Sequence, residues 1–546
     1  MSGSAKGEAP GKIGMANAVS EARSTDRRKD EFFPWLALVP LALIPAAGAS
    51  SDNVALLIIL MEGILFFFGA RRPLWLLAAL LVPELTIPNY LFSFGGFTVS
   101  NRLLLTVGIV IVILPHLTSG EWFSSRTRRV VLLALAFFVV AWVANVIGSD
   151  FGSAVKFGRF LTTGILSLLL VPAVVRTERD ARDLAAVCLV LGAASALAAV
   201  LQHYSDTLAV PVLQAVPHAG EPLDFYDWGG RVLGLAESPI YLTSSLLLLL
   251  LPAMGVVLIG GLQLQPRRIV AVAVLLMLVA LYFSFTRSWV YAVGLGIVPF
   301  LFLYKGRYSR ELWALVILSA VSFVFWTEFR ENRYSQGANE DSSASGRLVL
   351  WEIGLNIALD NPLIGVGHRR FTELSPGYAS EVSEETLSRQ DAAYVIGRYE
   401  PHNDFLNIWL SFGTGGLLLY GAILYLSAKN YLLAYAQVKS PFLKGLALGG
   451  LGALLAFMVN SSLHNLLDNT LTVWLLAGLS LALANIAVPE GDRVAAPGPR
   501  RRRRRPPRGR IRLPGLGRLP RPQLKPAANT GATFISDVPR GSDVVR

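Results

Sequence analysis

Blocks of roughly 17 to 24 consecutive apolar residues, broken by short polar connections, repeat along nearly the whole of this chain. Each block matches the ~20 helical residues that cross a ~30 Å hydrocarbon layer at 1.5 Å per residue. Lipid accepts only helices or closed barrels, and uninterrupted Leu, Val and Ala runs select helices. Candidate spans fall near 33–50, 54–70, 73–92, 102–118, 129–148, 156–175, 182–203, 239–261, 268–286, 288–304, 311–328, 404–427, 443–462 and 470–488. The expectation is an all-α integral membrane protein with about 12–14 transmembrane helices, a large periplasmic loop and both termini in the cytoplasm.

The domains expected are a polar N-terminus over 1–32, a transmembrane region over 33–328, a large loop over 329–403, the last helices over 404–488 and a tail over 489–546. Composition agrees: over 546 residues, 53% are hydrophobic, 16% are charged and the mean hydropathy is +0.51. Cys188, alone of its kind, lies inside an apolar block and excludes both an intrachain disulfide and a cysteine metal cluster.

Charge then orients the chain. With the N-terminus inside, the inward connections carry Arg71 and Arg72, RTRR at 126–129, RTERDAR at 176–182, PRR at 266–268, KGRYSR at 305–310, and Lys429, Lys439 and Lys444. All are basic, as the positive-inside rule requires. The formal net charge of +12 is almost wholly a property of the tail, where 490–546 holds 15 Lys and Arg against four acids, or +11. A run such as PGPRRRRRRPPRGRIR reads as a disordered cytoplasmic segment attracted to anionic headgroups, with no nucleic-acid partner. The cations that fall outside are the exceptions: Lys156 and Arg159, one helical turn apart, with Arg231, Arg287 and Arg347. Something anionic at the outer surface would explain them.

Four segments gather on that outer side: GGRVLGLAESP at 229–239, FSFTRSWVYA at 283–292, SGRLVLWEIGLNIALDNPLIGVGHRRF at 345–371 and PHNDFLNIWLSFGTGGLL at 401–418. Together they resemble the bacterial O-antigen ligase and polymerase superfamily. Its C-terminal signature is similar to S-G-R, a Trp, P-L-x-G-x-G-x-x-x-F, then H-N, nine residues and G-x-x-G. Here those positions are Ser345, Gly346, Arg347, Trp351, Pro362, Leu363, Gly365, Gly367, Phe371, His402, Asn403, Gly413 and Gly416. The resemblance covers roughly 230–420. Two departures stand out: Trp289 follows Ser288 where the family has a small residue, and Glu237 and Ser238 stand where it often has Asn-Pro.

The resemblance implies an inverting GT-C glycosyltransferase that needs neither metal nor cofactor, at the periplasmic face of the bacterial inner membrane. It would move a glycan from undecaprenyl diphosphate to a glycan or lipid A core hydroxyl, alongside the polysaccharide export machinery. His402 corresponds to the family's general base, and Arg231, Arg287 and Arg347 to its diphosphate-binding arginines, with Lys156 and Arg159 as further anion contacts. Asn403, Gly413, Gly416, Trp351, Gly365 and Gly367 are supporting positions. The residue types suit the chemistry independently: Arg is a permanent cation whose fork matches phosphate oxygens, and imidazole can accept a hydroxyl proton near neutral pH.

Weaker candidates are His464, followed one turn on by Asp468, His368 between Gly367 and Arg369, the loose acidic group Glu221, Asp224 and Asp227, and the intramembrane carboxylates Glu62 and Glu84. His116, His203 and His218 read as ordinary polar residues. Two other functions share the outline: a solute transporter, which should carry ionisable residues in mid-helix, and an O-linked protein oligosaccharyltransferase, which differs only in its acceptor.

Overall fold

The computed structural model describes residues 73–85, 91–94, 97–100, 110, 124–148, 151–204, 231–236, 238–304, 342–382, 395–467 and 470–488. The chain divides into two units, Met1–Arg493 and Val494–Arg546, and every described residue lies in the first. The expected spans at 33–50, 54–70 and 311–328, nearly all of 102–118, His116, His218, Glu62 and the Glu221–Asp224–Asp227 group lie outside the described residues.

The helices are α1 (Pro73–Leu85), α2 (Ser125–Gly148), α3 (Phe151–Val174), α4 (Glu178–Tyr204), α5 (Pro239–Ile259), α6 (Leu264–Phe283), α7 (Ser288–Leu303), α8 (Ser342–Asp360), α9 (Phe371–Leu374), α10 (Asp404–Gln437), α11 (Pro441–Ser461) and α12 (Thr472–Ala487). Seven of these, α2 to α6, α10 and α11, are long and apolar enough to cross a membrane, and α7 and α12 are shorter apolar helices. The protein is an all-α, multi-pass membrane protein. One small β element departs from the helical expectation: β1 (Leu91–Phe94) pairs antiparallel with β2 (Phe97–Ser100), in register Phe94 opposite Phe97. Gly95 and Gly96 separate the strands, the residue pair that two-residue hairpins favour.

α5 packs against α11, α7 against α11, α12 against α3, and α10 against α2, α11 and α12. Lipid supplies no hydrophobic drive between helices, so close backbone approach must replace it. α11 provides a seam of Gly445, Gly449 and Gly452, whose added Cβ atoms would strike the backbones of Gly255, Leu251 and Gly296.

Because α2 to α7 and α10 to α12 run as successive hairpins, their junctions fall at two ends of the bundle. One end is tied together by Ser124 Oγ on Asn485 Oδ1 at 2.9 Å, Arg126 on the Ala484 carbonyl at 2.7 Å and Ser440 Oγ on Glu178 at 2.8 Å. The other end holds the N-termini of α3, α5, α7 and α10 and all the segments singled out from sequence. There α8 and the following loop build a small second core from Val349, Leu350, Ile353, Ile357, Phe371, Val382 and Val395, closed by Leu410 of α10.

The join between that core and the bundle is a break in α10. Gly413 has φ 66° and ψ −176°, so the helix is interrupted there. The interruption frees the carbonyls of Leu410 and Ser411, which accept the amides of Val366 at 2.8 Å and Gly367 at 3.0 Å. Thr414 donates its amide to the Pro362 carbonyl at 2.7 Å. A Cβ at Gly413 would run into the Leu363 carbonyl, and one at Gly365, itself at φ +80°, into the Ser411 backbone.

Gly413→Ala is expected to lower the thermal midpoint of the detergent-solubilised protein, because left-handed strain of order 1–3 kcal/mol adds to the clash. Gly415→Ala, a position with open space around it, is the control and should leave the midpoint within experimental scatter.

Candidate active site

The loop that carries His402 is held from both sides. Trp351 and Arg347 lie one turn apart on one face of α8, and the Trp351 indole donates to the Pro401 carbonyl at 2.8 Å. On the other side Asn403 donates its amide to Asn465 Oδ1 at 3.1 Å, while its own side chain caps α10 by accepting the Leu406 amide at 3.1 Å. Asp404, fully buried, accepts the Leu466 amide at 2.9 Å and the Leu467 amide at 3.1 Å. Between these anchors His402 is driven to φ +52°, a left-handed conformation that non-glycine residues seldom take. Its ring lies 6.2 Å from that of Tyr399.

Arg231 is positioned by a different device. The segment 231–236 makes a left-handed turn at Gly234, φ +59°, where a Cβ would strike the Ser195 carbonyl. Gln202, near the end of α4 and 3% exposed, fills that turn with its amide: Nε2 donates to the Gly234 carbonyl at 2.8 Å, and Oε1 accepts the amides of Leu233 at 3.1 Å and Gly234 at 2.8 Å. Arg287 caps α7 after a turn through Phe285 at φ +48°. Buried hydroxyls brace that turn, with Ser284 Oγ donating to Leu281 O at 2.6 Å and lying 3.3 Å from Thr243 Oγ1. Arg287 itself is exposed.

Electrostatic contact brings four of these side chains together. Burial, and then the neighbouring Arg347 charge, lowers His402 to about 4. Arg347 is lowered by burial and by Arg231. His464, in the link between α11 and α12, is held well below the ordinary range by burial and by Arg347, His402 and Arg231. The result is one pocket of two guanidiniums and two neutral imidazoles. Of the two carboxylates that flank His402 two residues away, Asp404 is committed to backbone amides and Glu400 is part-buried.

The other singled-out positions have different places. Arg159 is exposed on α3 and its carbonyl accepts Thr163 Oγ1 at 3.0 Å; Lys156 is two turns into the same helix, and its side chain lies outside the described residues. Nothing among the described contacts joins either to the pocket. The His368 ring lies against Phe157, tilted by 31° with centroids 4.3 Å apart, and its amide donates to Asn145 Oδ1 at 2.7 Å, so it anchors the 361–371 loop to α2 and α3. His203 stacks on Phe283 at 3.8 Å. Glu84 accepts the backbone amide of Leu471, giving this buried carboxylate a role in seating the start of α12. Among the described residues no group of three His, Cys, Asp or Glu is placed to hold a metal ion.

Gln202 and the Ser288–His464 contact have no motif to announce them. A glutamine near the end of an apolar helix was a usable signal, since an intramembrane polar group must find a partner.

Residues 272–421 match the family model described as O-antigen ligase. No curated protein matches the chain. The matched segment contains Arg287, Arg347, His402, Gly413 and Gly416 in the order and spacing set out above, and it stops short of both Arg231 and His464.

Gln202→Ala should unfold at a lower temperature, because it leaves the two amides and one carbonyl of the Arg231 turn buried and unpaired, at about 1–3 kcal/mol per group; thermal melting in detergent measures this. A pH prediction follows from His402. Its folded pKa, about 4, lies below the unfolded value near ~6.5. The unfolded chain therefore binds more protons between those values, and stability falls as pH drops from ~6.5 towards 4. His402→Gln should flatten part of that fall, which melting at stepped pH reads directly.

Proposed function

We propose that this protein, whose residues 272–421 match the O-antigen ligase family model, is a member of the O-antigen ligase and polymerase superfamily and an inverting polysaccharide transferase. It takes a glycan from a polyprenyl diphosphate and joins it to a hydroxyl of a second glycan or of lipid A core. The basic connections sit at the opposite end of the bundle from the pocket, which supports a periplasmic reaction at the bacterial inner membrane. The observation that carries the reading is that Arg347 stands beside His402, with Arg231 beside Arg347 and all three beside His464.

The reaction asks for two things. The acceptor oxygen attacks the anomeric carbon from the face opposite the diphosphate, the bond from that carbon to the phosphate oxygen breaks, and its electron pair leaves with the diphosphate. Arg231 and Arg347 meet that developing charge, with Arg287 at the exposed rim of the same end. The acceptor proton passes to His402. In the free protein His402 is neutral and so already in its accepting form. Its basicity is low first because the site buries it and second because a guanidinium stands beside it. A bound diphosphate offsets that guanidinium, raising the histidine's affinity for the proton at the step that releases it. The left-handed backbone at His402 fixes the ring in a restricted set of positions before substrate arrives.

The cationic pocket performs the charge neutralisation that a divalent ion supplies in other glycosyl transfers, so turnover is expected to be indifferent to chelators. A transporter would need its ionisable groups along a path through mid-membrane; here they collect at one end.

In proteoliposomes with a polyprenyl-diphosphate oligosaccharide, wild-type transfer should persist in excess chelator, and His402→Ala should lose about 10² to 10⁴ of the rate, the usual contribution of a general base. Arg347→Ala should fall comparably and Arg347→Lys recover only in part, since a point charge lacks the fork. Full activity in His402→Ala would overturn the assignment, and product mass distinguishes a glycan acceptor from a lipid A core.

A further inference from the structure

His464 is 4% exposed, and its Nε2 lies 3.1 Å from Ser288 Oγ. The Ser288 hydroxyl gives its single proton to Asn460 Oδ1 at 2.7 Å. It can then only accept from the imidazole, which places the ring proton on Nε2 and the lone pair on Nδ1. Nδ1 is buried and, among the described residues, makes no hydrogen bond. Such an acceptor costs free energy until something donates to it.

The position of that lone pair is set by the contacts already described. Asn465 receives the Asn403 amide and Leu466 and Leu467 donate to Asp404, so the residues flanking His464 are joined to those flanking His402. Arg347, Arg231 and His402 are the charged and titratable neighbours that act on the ring. In a pocket otherwise supplied with guanidinium donors, Nδ1 is a neutral acceptor. It has nothing to offer a diphosphate oxygen, which is itself an acceptor. It suits a hydroxyl.

Resting on the transferase reading above, we propose that His464 is a positioning residue whose Nδ1 accepts a hydrogen bond from a carbohydrate hydroxyl of the glycan held beside Arg231, Arg347 and His402. The Ser288–Asn460 pair acts through it, holding the one tautomer that keeps the lone pair facing away from Ser288. Binding of sugar is thereby separated from binding of diphosphate: the arginines take the anion, and His464 takes the saccharide.

Binding of three probes to the full-length protein in detergent tests this: polyprenyl diphosphate alone, polyprenyl diphosphate bearing the glycan, and the lipid-free glycan. In the wild type the glycan is expected to tighten binding over the bare lipid diphosphate. Glutamine places its amide near Nε2 and can still donate to Ser288 while lacking the Nδ1 acceptor. His464→Gln should therefore bind bare polyprenyl diphosphate as the wild type does and lose about tenfold for the glycan-bearing form, the worth of one hydrogen bond. His464→Asn, which sets an acceptor near Nδ1, should retain more of the increment. It stands in if the glutamine variant does not fold.

Loss confined to the lipid-linked probe assigns the hydroxyl to the donor, and loss confined to free glycan assigns it to the acceptor. Unchanged affinity of His464→Gln for both the glycan-bearing lipid and the free glycan overturns the proposal, leaving His464 a structural contact filled by water. Equal loss for bare and glycan-bearing lipid overturns it too. Failure of wild type to bind polyprenyl diphosphate at all would instead overturn the transferase reading.

Discussion

The site depends on one buried carboxylate. Asp404 opens α10 and takes two amides from the α11–α12 link, while the neighbouring Asn403 gives its amide back to Asn465. Hydrogen bonds to a buried charge are worth about 1.5–3 kcal/mol each, and breaking them leaves both the charge and the amides unpaired. That zip places His402 and His464 side by side although 62 positions separate them in the chain. Without it the two imidazoles would belong to independent loops.

A second constraint is geometric. The small core on α8 must sit over the bundle with little freedom, because Arg347 comes from α8 and Arg231 from the bundle. The break in α10 at Gly413 solves this by opening two helix carbonyls to the 362–367 loop. A helix that spanned without interruption would have no acceptors to offer, and the loop's amides would be buried unpaired. The Trp351 bond to Pro401 ties the same core to the histidine loop from the other side. Strain at His402 and glycine at 365, 367 and 413 are the local costs of holding that geometry.

Electrostatics follow from this placement. Two guanidiniums set close together in a partly buried site repel each other, and Arg347 is lowered for that reason as well as by burial. An anion set between them would relieve the repulsion. Burial first, and then the Arg347 charge, lowers both histidines.

Periodicity was enough to determine a helical membrane protein, and motif spacing to pick out the segment bearing His402, Arg347 and the glycines. Lipid enforces helix length, and the positive-inside bias is a property of composition. The motif spacing likewise carried the glycines of the α10 join, since left-handed backbone and close approach restrict those positions to one residue type. Gln202 and the Ser288–His464–Asn460 chain were not legible. Each links positions from 31 to 176 apart through a single side-chain contact, and hydropathy cannot register a polar residue that has found its partner. The β-hairpin at 91–100 also escaped, because four-residue strands are too short to show alternation against apolar flanks. The tertiary structure decided which outer cations share a pocket: Arg231 and Arg347 do, whereas Arg159 stays on the exposed face of α3. Charge sign can be counted along a chain, but the distance between charges exists only once the backbone has closed around them.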